Sequence, residues 1–195
     1  MATQERANVS SATDEDRAIA TITMAFSRDP VARWFLTDAN RYLTYWPRVL
    51  RAFGGAAFAK GTADSIDDYG GVALWLPPGV APDEETMGAL TAEAIPAADQ
   101  EEVFGFMEQM GEFHLTEPHW YLPFIGVDLT KQGRGYGSAL LRHALERCDR
   151  DQVPAYLDAT SPLNKPLYER HGFEELGVIQ AGSSPPMWAM QRQPR

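Results

Sequence analysis

The stretch Gln132-Gly-Arg-Gly-Tyr-Gly137 places three glycines within five residues, between an apolar segment and an amphipathic one. The preceding segment, Trp120 to Val127, is apolar and aromatic and predicts a buried strand. Pro123 inside it removes one main-chain donor, which indicates a bulge or an unpaired edge at that point. After the glycines, apolar residues recur at i, i+3, i+4 and i+7, namely Leu141, Ala144, Leu145 and Cys148. The pattern predicts a strand, a glycine-rich turn and a helix with one buried face.

This order of elements is suited to binding phosphate. Glycines let the main chain approach a ligand closely, and the first N–H groups of a helix lie at the positive end of its dipole. Lys131 and Arg134 add positive charge beside the turn. A tight turn without a ligand is the alternative interpretation.

Two kinds of phosphate site can be compared with the glycine turn. A Walker A loop is excluded, because no Gly-Lys-Ser/Thr triplet occurs in the sequence. The dinucleotide fingerprint G-x-G-x-x-G fits Gly133 and Gly135 but requires its third glycine where Ser138 stands. Asp158, about twenty residues further on, resembles the acid that binds a ribose in such proteins. An NAD-binding protein therefore stays open as an alternative.

The rest of the chain alternates helical and strand-like patterns. A capping box formed by Thr13 and Asp16 predicts the start of a first helix, which ends before Asp29-Pro30. Further helices are predicted over residues 31–53 with a break near 37–40, over the two halves of 83–117 split at Pro96, and over 164–171. Further strands are predicted over residues 72–76, 155–159, 174–179 and 187–190. We expect an α/β or α+β fold in a single domain over residues 1–195.

The charge is distributed unevenly along the chain. The sequence has 17 Lys and Arg against 27 Asp and Glu, a formal net charge of -10. This balance argues against general nucleic-acid binding, which needs basic groups to neutralise phosphates. Ten of the carboxylates, with no Lys or Arg among them, lie between Asp83 and Glu117.

Membrane insertion and secretion are both unexpected. The longest unbroken apolar stretch, Val72 to Leu76, is far shorter than the roughly 20 residues of a spanning helix, and the N-terminus lacks a signal segment. The lone Cys148 cannot form an internal disulfide or a cysteine-rich metal site. We therefore predict a cytoplasmic protein without a metal or a membrane partner.

Gln132 to Gly137 has the pattern Q/R-x-x-G-x-G/A, which resembles the acetyl-CoA pyrophosphate loop of the GNAT superfamily of N-acetyltransferases. Downstream, Asn164, Tyr168 and Gly172-Phe173 resemble the last conserved helix of that superfamily and the strand after it. Three further runs are most similar to its puromycin N-acetyltransferase group, namely residues 117–121, 125–127 and 153–161. The detailed resemblance covers roughly Glu117 to the C-terminus.

The resemblance implies a GNAT fold, in which a mixed central sheet is splayed at the cofactor strand and flanked by helices. It implies acetyl-CoA as co-substrate and direct transfer of the acetyl group to the amine of a small molecule. The alternative is a non-catalytic acyl-CoA-binding or sensor module that keeps the loop and lacks turnover. The N-terminal half, which is similar mainly in Arg28-Asp-Pro30, is expected to form the acceptor pocket.

The resemblance also assigns roles to individual residues. Main-chain groups of Ile125, Gly126 and Val127 are expected to bind the cofactor amides and the oxyanion. The expected pyrophosphate site comprises Gln132, Gly133, Arg134, Gly135, Tyr136, Gly137 and Ser138. Asn164 and Tyr168 lie on one helix face at i and i+4 and belong to the same site, with Tyr168 as the general acid for the departing thiolate.

The general base is less well defined. Candidates flanking the cofactor strand are Glu112, His114, Glu117, His119 or a water molecule. Asp158 stands where the most similar group has a glutamate, and its shorter side chain puts the corresponding role in doubt. The acidic stretch from Asp83 to Glu117 is expected either to form a pocket wall that attracts a cationic amine or to be a solvated face that keeps the protein soluble.

Overall fold

The computed structural model describes residues 8–195. Seven strands lie in that range: β1 (Val9–Ser11), β2 (Ala63–Ile66), β3 (Gly71–Leu76), β4 (Trp120–Val127), β5 (Ala155–Ala159), β6 (Glu174–Ile179) and β7 (Met187–Arg192). The same range contains eight helices: α1 (Glu15–Ala25), α2 (Pro30–Phe35), α3 (Ala39–Gly54), α4 (Ala56–Ala59), α5 (Glu84–Ala94), α6 (Gln100–Phe113), α7 (Tyr136–Asp151) and α8 (Lys165–Glu169). In this part of the chain, no helix combines the length and apolar character needed to cross a membrane.

The strands form one mixed sheet in the order β1-β2-β3-β4-β5-β7-β6. Neighbouring strands are antiparallel except β4 and β5, which are parallel and pair only from Trp120–Ala155 to Leu122–Leu157. Against β3, the register of β4 shifts between Tyr121 and Phe124, so a bulge lies at Pro123. The bulge against β3 and the end of the pairing with β5 both occur at Pro123, because proline has no main-chain N–H to donate. The predicted splayed sheet is therefore confirmed.

Helices cover both faces of the sheet and create two apolar cores. On one face, α7 buries the apolar stripe predicted from the sequence, including Cys148, whose buried thiol has its pKa raised to about 12. On the other face, α1 and α3 pack against β3 and β4, α5 packs on α3, and α6 packs against β6, with α2 in the same core. Residues of both cores reach the point where β4 and β5 separate.

Four helices of the N-terminal half begin in the same way. The carboxylates of Asp14, Asp29, Asp38 and Asp83 each accept a hydrogen bond from the main-chain N–H three residues on. The predicted capping box of Thr13 and Asp16 is therefore wrong, because Asp14 caps α1. The cap formed by Asp29 also fixes that side chain beside the splayed strands.

Most predicted elements agree with the structure, while β1, β2 and α4 were not predicted. β2 has no apolar alternation, because Asp64 and Ser65 occupy its middle and are nevertheless buried. The Asp64 carboxylate is paired with the Arg147 guanidinium of α7, with Arg147 Nη1 3.1 Å from Asp64 Oδ1. The burial of Asp64 in this strand depends on Arg147, which lies 83 residues further along the chain. No local sequence pattern therefore predicts the strand.

Candidate active site

Two cavities meet where β4 and β5 separate. The large cleft, of about 700 Å³, lies between the glycine turn, the second half of β4 and α8. The apolar cavity, of about 110 Å³, lies between the sheet and helices α2, α3, α5 and α6. Five residues line both cavities: Phe26, Asp29, Ile125, Asn164 and Tyr168. The two spaces are therefore connected across the opening in the sheet.

The glycine turn has the geometry of an anion site. Gly133 and Gly135 have φ values of 75° and 83°, in the left-handed region, and a Cβ on either would meet nothing within 4 Å. The N–H of Ala139 bonds to the oxygen of Gly135 at 3.0 Å, and no side chain caps α7. The N–H groups of residues 136–138 therefore have no helical acceptor and lie beside the open cleft. The residues present fit a pyrophosphate group.

The turn is fastened to the hairpin between β2 and β3. Asp67 Oδ2 lies 2.8 Å from Lys131 Nζ and accepts a 2.6 Å hydrogen bond from the Tyr136 hydroxyl. These two hydrogen bonds lower the pKa of the Asp67 carboxyl. Lys131 thus forms an ion pair with Asp67, whereas Arg134 is exposed. Among the predicted loop residues, Arg134 alone is absent from the lining of the large cleft.

Main-chain groups of β4 point into the gap. Asp128 donates its N–H to Gly70 on the β3 side, and alternation along the strand turns Gly126 the same way. The N–H and C=O groups of Ile125 and Val127 therefore face the gap, where β5 no longer pairs. The main-chain groups of Gly126 do not face the gap, contrary to the expectation. Its contribution is steric, since a Cβ there would lie 2.8 Å from Ala25 Cβ of α1.

Tyr168 of α8 lies at the junction of the two cavities. The residue is 6% exposed, and its ring packs edge-on against Phe173 with centroids 6.1 Å apart. Within residues 8–195 its hydroxyl has no hydrogen-bond partner, yet it is not sealed from solvent. Burial and the charge of Asp29 raise the pKa of the phenol, so it keeps its proton at neutral pH. Asn164, the residue immediately before α8, also lines both cavities.

Asp158 of β5 provides a carboxyl group inside the apolar cavity. Its Oδ1 accepts a 2.7 Å hydrogen bond from the Tyr156 hydroxyl, and its Oδ2 accepts one of 3.2 Å from the Tyr121 hydroxyl. Burial outweighs these two bonds and raises the pKa of Asp158 to about 7. The remaining exposed surface of the side chain faces the cavity. The carboxyl can therefore take up and release a proton near neutral pH.

The position of Asp158 settles two sequence-based questions. The shorter side chain does reach a cavity, because Tyr156 at i−2 lies on the same face of β5 and Tyr121 lies opposite on β4. The residue does not line the large cleft beside the glycine turn, where a ribose-binding acid would be needed. The dinucleotide alternative therefore loses its main support.

The four predicted base candidates lie outside both cavities. His119 Nδ1 donates to the Glu117 oxygen at 2.7 Å, so its Nε2 accepts from His114 Nε2 at 3.1 Å when both rings are neutral. Burial and His119 lower the pKa of His114 to about 4. Its ring packs on Tyr121 and Tyr156, while Glu112 and Glu117 are exposed. The structure brings none of these four residues to the cavity lining.

The acidic stretch contributes its apolar face. From α5, α6 and the segment between them, eight residues line the cavity: Met87, Leu90, Thr91, Ala94, Ile95, Phe106, Met107 and Met110. None of the carboxylates between Asp83 and Glu117 is among the lining residues. Glu93, for example, faces outward and binds Arg48 at 3.0 Å. The segment therefore forms part of the cavity wall, as one of the two expectations had it, while nearly all of its carboxylates lie exposed on the solvated face, as the other had it.

Known proteins show the same combination of fold and sequence. An "uncharacterized N-acetyltransferase" of Schizosaccharomyces pombe is 24% identical over 206 aligned positions, which cover 94% of this chain and 81% of that protein. A solved structure from Corynebacterium glutamicum, described as histone acetyltransferase HPA2 and related acetyltransferase, is 25% identical with a TM-score of 0.69, and the match covers 97% of each chain.

Arylalkylamine N-acetyltransferase 2 of Aedes aegypti shares the fold, with a TM-score of 0.68 and 14% identity over 98% of this chain and 100% of that chain. A sequence model of the acetyltransferase (GNAT) family matches residues 64–173, more than half of the 195 residues. The match spans β2 to the end of α8, and so contains the glycine turn, the splayed strands and Tyr168. The chain therefore belongs to the acetyltransferase (GNAT) family and is an acyltransferase.

Proposed function

We propose that the protein transfers an acetyl group from acetyl-CoA to the primary amine of a small molecule. One observation carries the proposal: a carboxyl group and a protonated phenol, Asp158 and Tyr168, line one cavity that opens into the cleft beside the glycine turn. Acyl transfer to an amine needs a base and an acid at the same place. The N-acetyltransferase relative supports the same reaction class.

Acetyl-CoA, when bound, would supply the acetyl group as a reactive thioester. The N–H groups of residues 136–138 and the glycines before them would hold its pyrophosphate. The main-chain groups of Ile125 and Val127 would bind its amides along the gap. Gln132 donates to the Val127 oxygen at 3.4 Å, so its side chain helps to close the turn onto the strand.

Asp158 would act as the base. With its pKa raised to about 7, the carboxyl can accept a proton from an ammonium group that enters the cavity. Its two tyrosine partners hold the carboxyl toward the cavity. Asp158 replaces the four flanking candidates, because it alone among the five lines the cavity.

Tyr168 would act as the acid. Its hydroxyl holds a proton at the junction of the cavities, at the place where the sulfur of a bound thioester is expected. The raised pKa of the phenol keeps the hydroxyl protonated at neutral pH, so that it can donate this proton to the departing thiolate. The charge of Asp29, which itself accepts bonds from Ala32 N–H and the Thr160 hydroxyl, supports the protonated form.

The proposal is tested by release of free CoA thiol from acetyl-CoA in the presence of a panel of primary amines. Mass spectrometry should detect the amine with one added acetyl group. A non-catalytic acyl-CoA-binding module would instead bind acetyl-CoA, as measured by calorimetry, and release no thiol above the rate of hydrolysis. Acetyl-CoA binding without any acetylated product would therefore overturn the proposal in favour of that module.

A further inference from the structure

The far wall of the apolar cavity contains no charge. Helices α3, α5 and α6 contribute Val49, Phe53, Met87, Leu90, Ala94 and Met110 to it, among other apolar residues. Two side chains from these helices carry a polar group: Thr91, whose hydroxyl donates to the Met87 oxygen at 2.9 Å, and Trp46, whose buried Nε1 has no hydrogen-bond partner within residues 8–195. Lys and Arg are absent from the lining formed by the described residues.

The polar groups of the cavity are concentrated at its opposite end, at the gap in the sheet. Asp158 belongs to β5, and Thr160, Asn164 and Tyr168 belong to the segment after it. Asp29 and Thr160 are bonded to each other, with Thr160 Oγ1 donating to the carboxylate. The two carboxyl groups of the lining, Asp158 and Asp29, therefore both lie at this end, and the opposite wall carries no charged group.

The size of the cavity limits what can occupy it. At about 110 Å³, it is somewhat smaller than an engineered protein cavity of ~150 Å³ that holds one benzene molecule. This space suits one ring or a branched alkyl group better than a fused two-ring system. The methionines from α5 and α6 suit a ring, since thioether sulfur makes favourable contacts with aromatic groups.

We propose that the acceptor is a primary amine joined by a short linker to one compact apolar group, such as a single aromatic ring. This inference rests on the proposed acetyl transfer and adds the substrate class. The apolar group fills the cavity, and the amine stays at the Asp158 end, beside Tyr168. A diamine or a guanidino amine would place its second cation against the uncharged wall, where it would lose its hydration without gaining a partner.

The test compares kcat/KM for four amines with acetyl-CoA: phenethylamine with one ring, tryptamine with two fused rings, and putrescine and agmatine with a second cation. Phenethylamine should exceed both dications by about 100-fold or more, because a single missing methylene in an apolar pocket already costs about 10-fold to 200-fold. It should also exceed tryptamine. Equal or faster acetylation of putrescine or agmatine would overturn the inference and leave the acetyl transfer standing.

A variant tests whether this cavity sets the preference. Met110→Ala removes side-chain volume from the far wall and so enlarges the cavity. The ratio of kcat/KM for tryptamine to kcat/KM for phenethylamine should therefore rise at least about tenfold. Met24→Ala is the matched control, because Met24 is 52% exposed and does not line the cavity; it should leave the ratio unchanged. A ratio that does not move in Met110→Ala places the acceptor elsewhere and overturns the inference. Failure of every amine to react would instead overturn the proposed function, and this inference with it.

Discussion

The large cleft and the apolar cavity share five lining residues, yet the chain builds them in different ways. Half of the residues that line the cleft fall within residues 125–138, where they follow one another along the sequence, and the rest come from residues 25–30 and 161–170. The cavity is formed by side chains from Phe26 to Met187, contributed by many separate elements. A site built from main-chain groups depends on the backbone conformation of a few residues, whereas a site built from side chains depends on which residues several elements bring together. The cleft therefore suits a ligand that stays the same when side chains change, and the cavity suits a ligand that changes with them.

Removal of the phenol proton should have the largest effect, because Tyr168 belongs to both regions. Tyr168→Phe keeps the ring against Phe173 and should lower kcat by about 100-fold to 10,000-fold. Binding of acetyl-CoA, measured by calorimetry, should change little. If chemistry is shown to be rate-limiting and kcat is unchanged, Tyr168 is not the acid.

The carboxyl of the apolar cavity should control the pH dependence. Because the base must be ionised, kcat/KM should rise about tenfold per pH unit below pH 7 and level off above the Asp158 pKa of about 7. Asp158→Asn should lose about 100-fold at pH 8. The ratio of wild-type to variant kcat/KM cancels the titration of the amine itself. A ratio independent of pH from 5 to 8 would remove Asp158 from the role of base.

A negative charge placed in the glycine turn should weaken the binding of acetyl-CoA in the large cleft and leave the apolar cavity unchanged. Gly135→Asp puts an anion and a left-handed non-glycine residue beside the pyrophosphate site, and should raise the Kd of acetyl-CoA at least about tenfold. Gly61→Asp is the matched control, since Gly61 has a φ of 65° and open space around it, and it does not line either cavity. Equal Kd values for the two variants would contradict the assignment of the turn.

The smallest expected effect concerns stability. Between about pH 4 and pH 7 the folded protein keeps the Asp158 proton that the unfolded chain has lost, so this residue makes folding less favourable as the pH rises through that window. Asp158→Asn lacks this contribution. Its Tm relative to wild type should therefore increase by several degrees from pH 4 to pH 7, while activity falls. A Tm difference that does not change with pH would mean that the carboxyl titrates normally.

The contrast between the two regions also explains what sequence reasoning can predict. The glycine turn and the proline in β4 each lie within a few residues, so local patterns predict the turn and the bulge. Asn164 and Tyr168 were assigned to the site by resemblance to the GNAT superfamily. The proposed role of Asp158 depends on Tyr121 of another strand, 37 residues away, and on burial, which no local pattern encodes. The same holds for the acidic stretch. Its charges are visible in the sequence, but the face that meets the cavity is set by how α5 and α6 pack.

Pro123 has a consequence for how the sheet behaves as a surface. An unpaired strand edge normally invites other strands, and proteins protect such edges with charges, prolines or covering elements. Here the edge formed by Ile125 and Val127 lies inside the sheet, with helices on both faces, and borders the large cleft. A ligand that enters the cleft can complete its hydrogen bonds. A feature that is an aggregation hazard at the rim of a sheet thus becomes a binding edge at its centre.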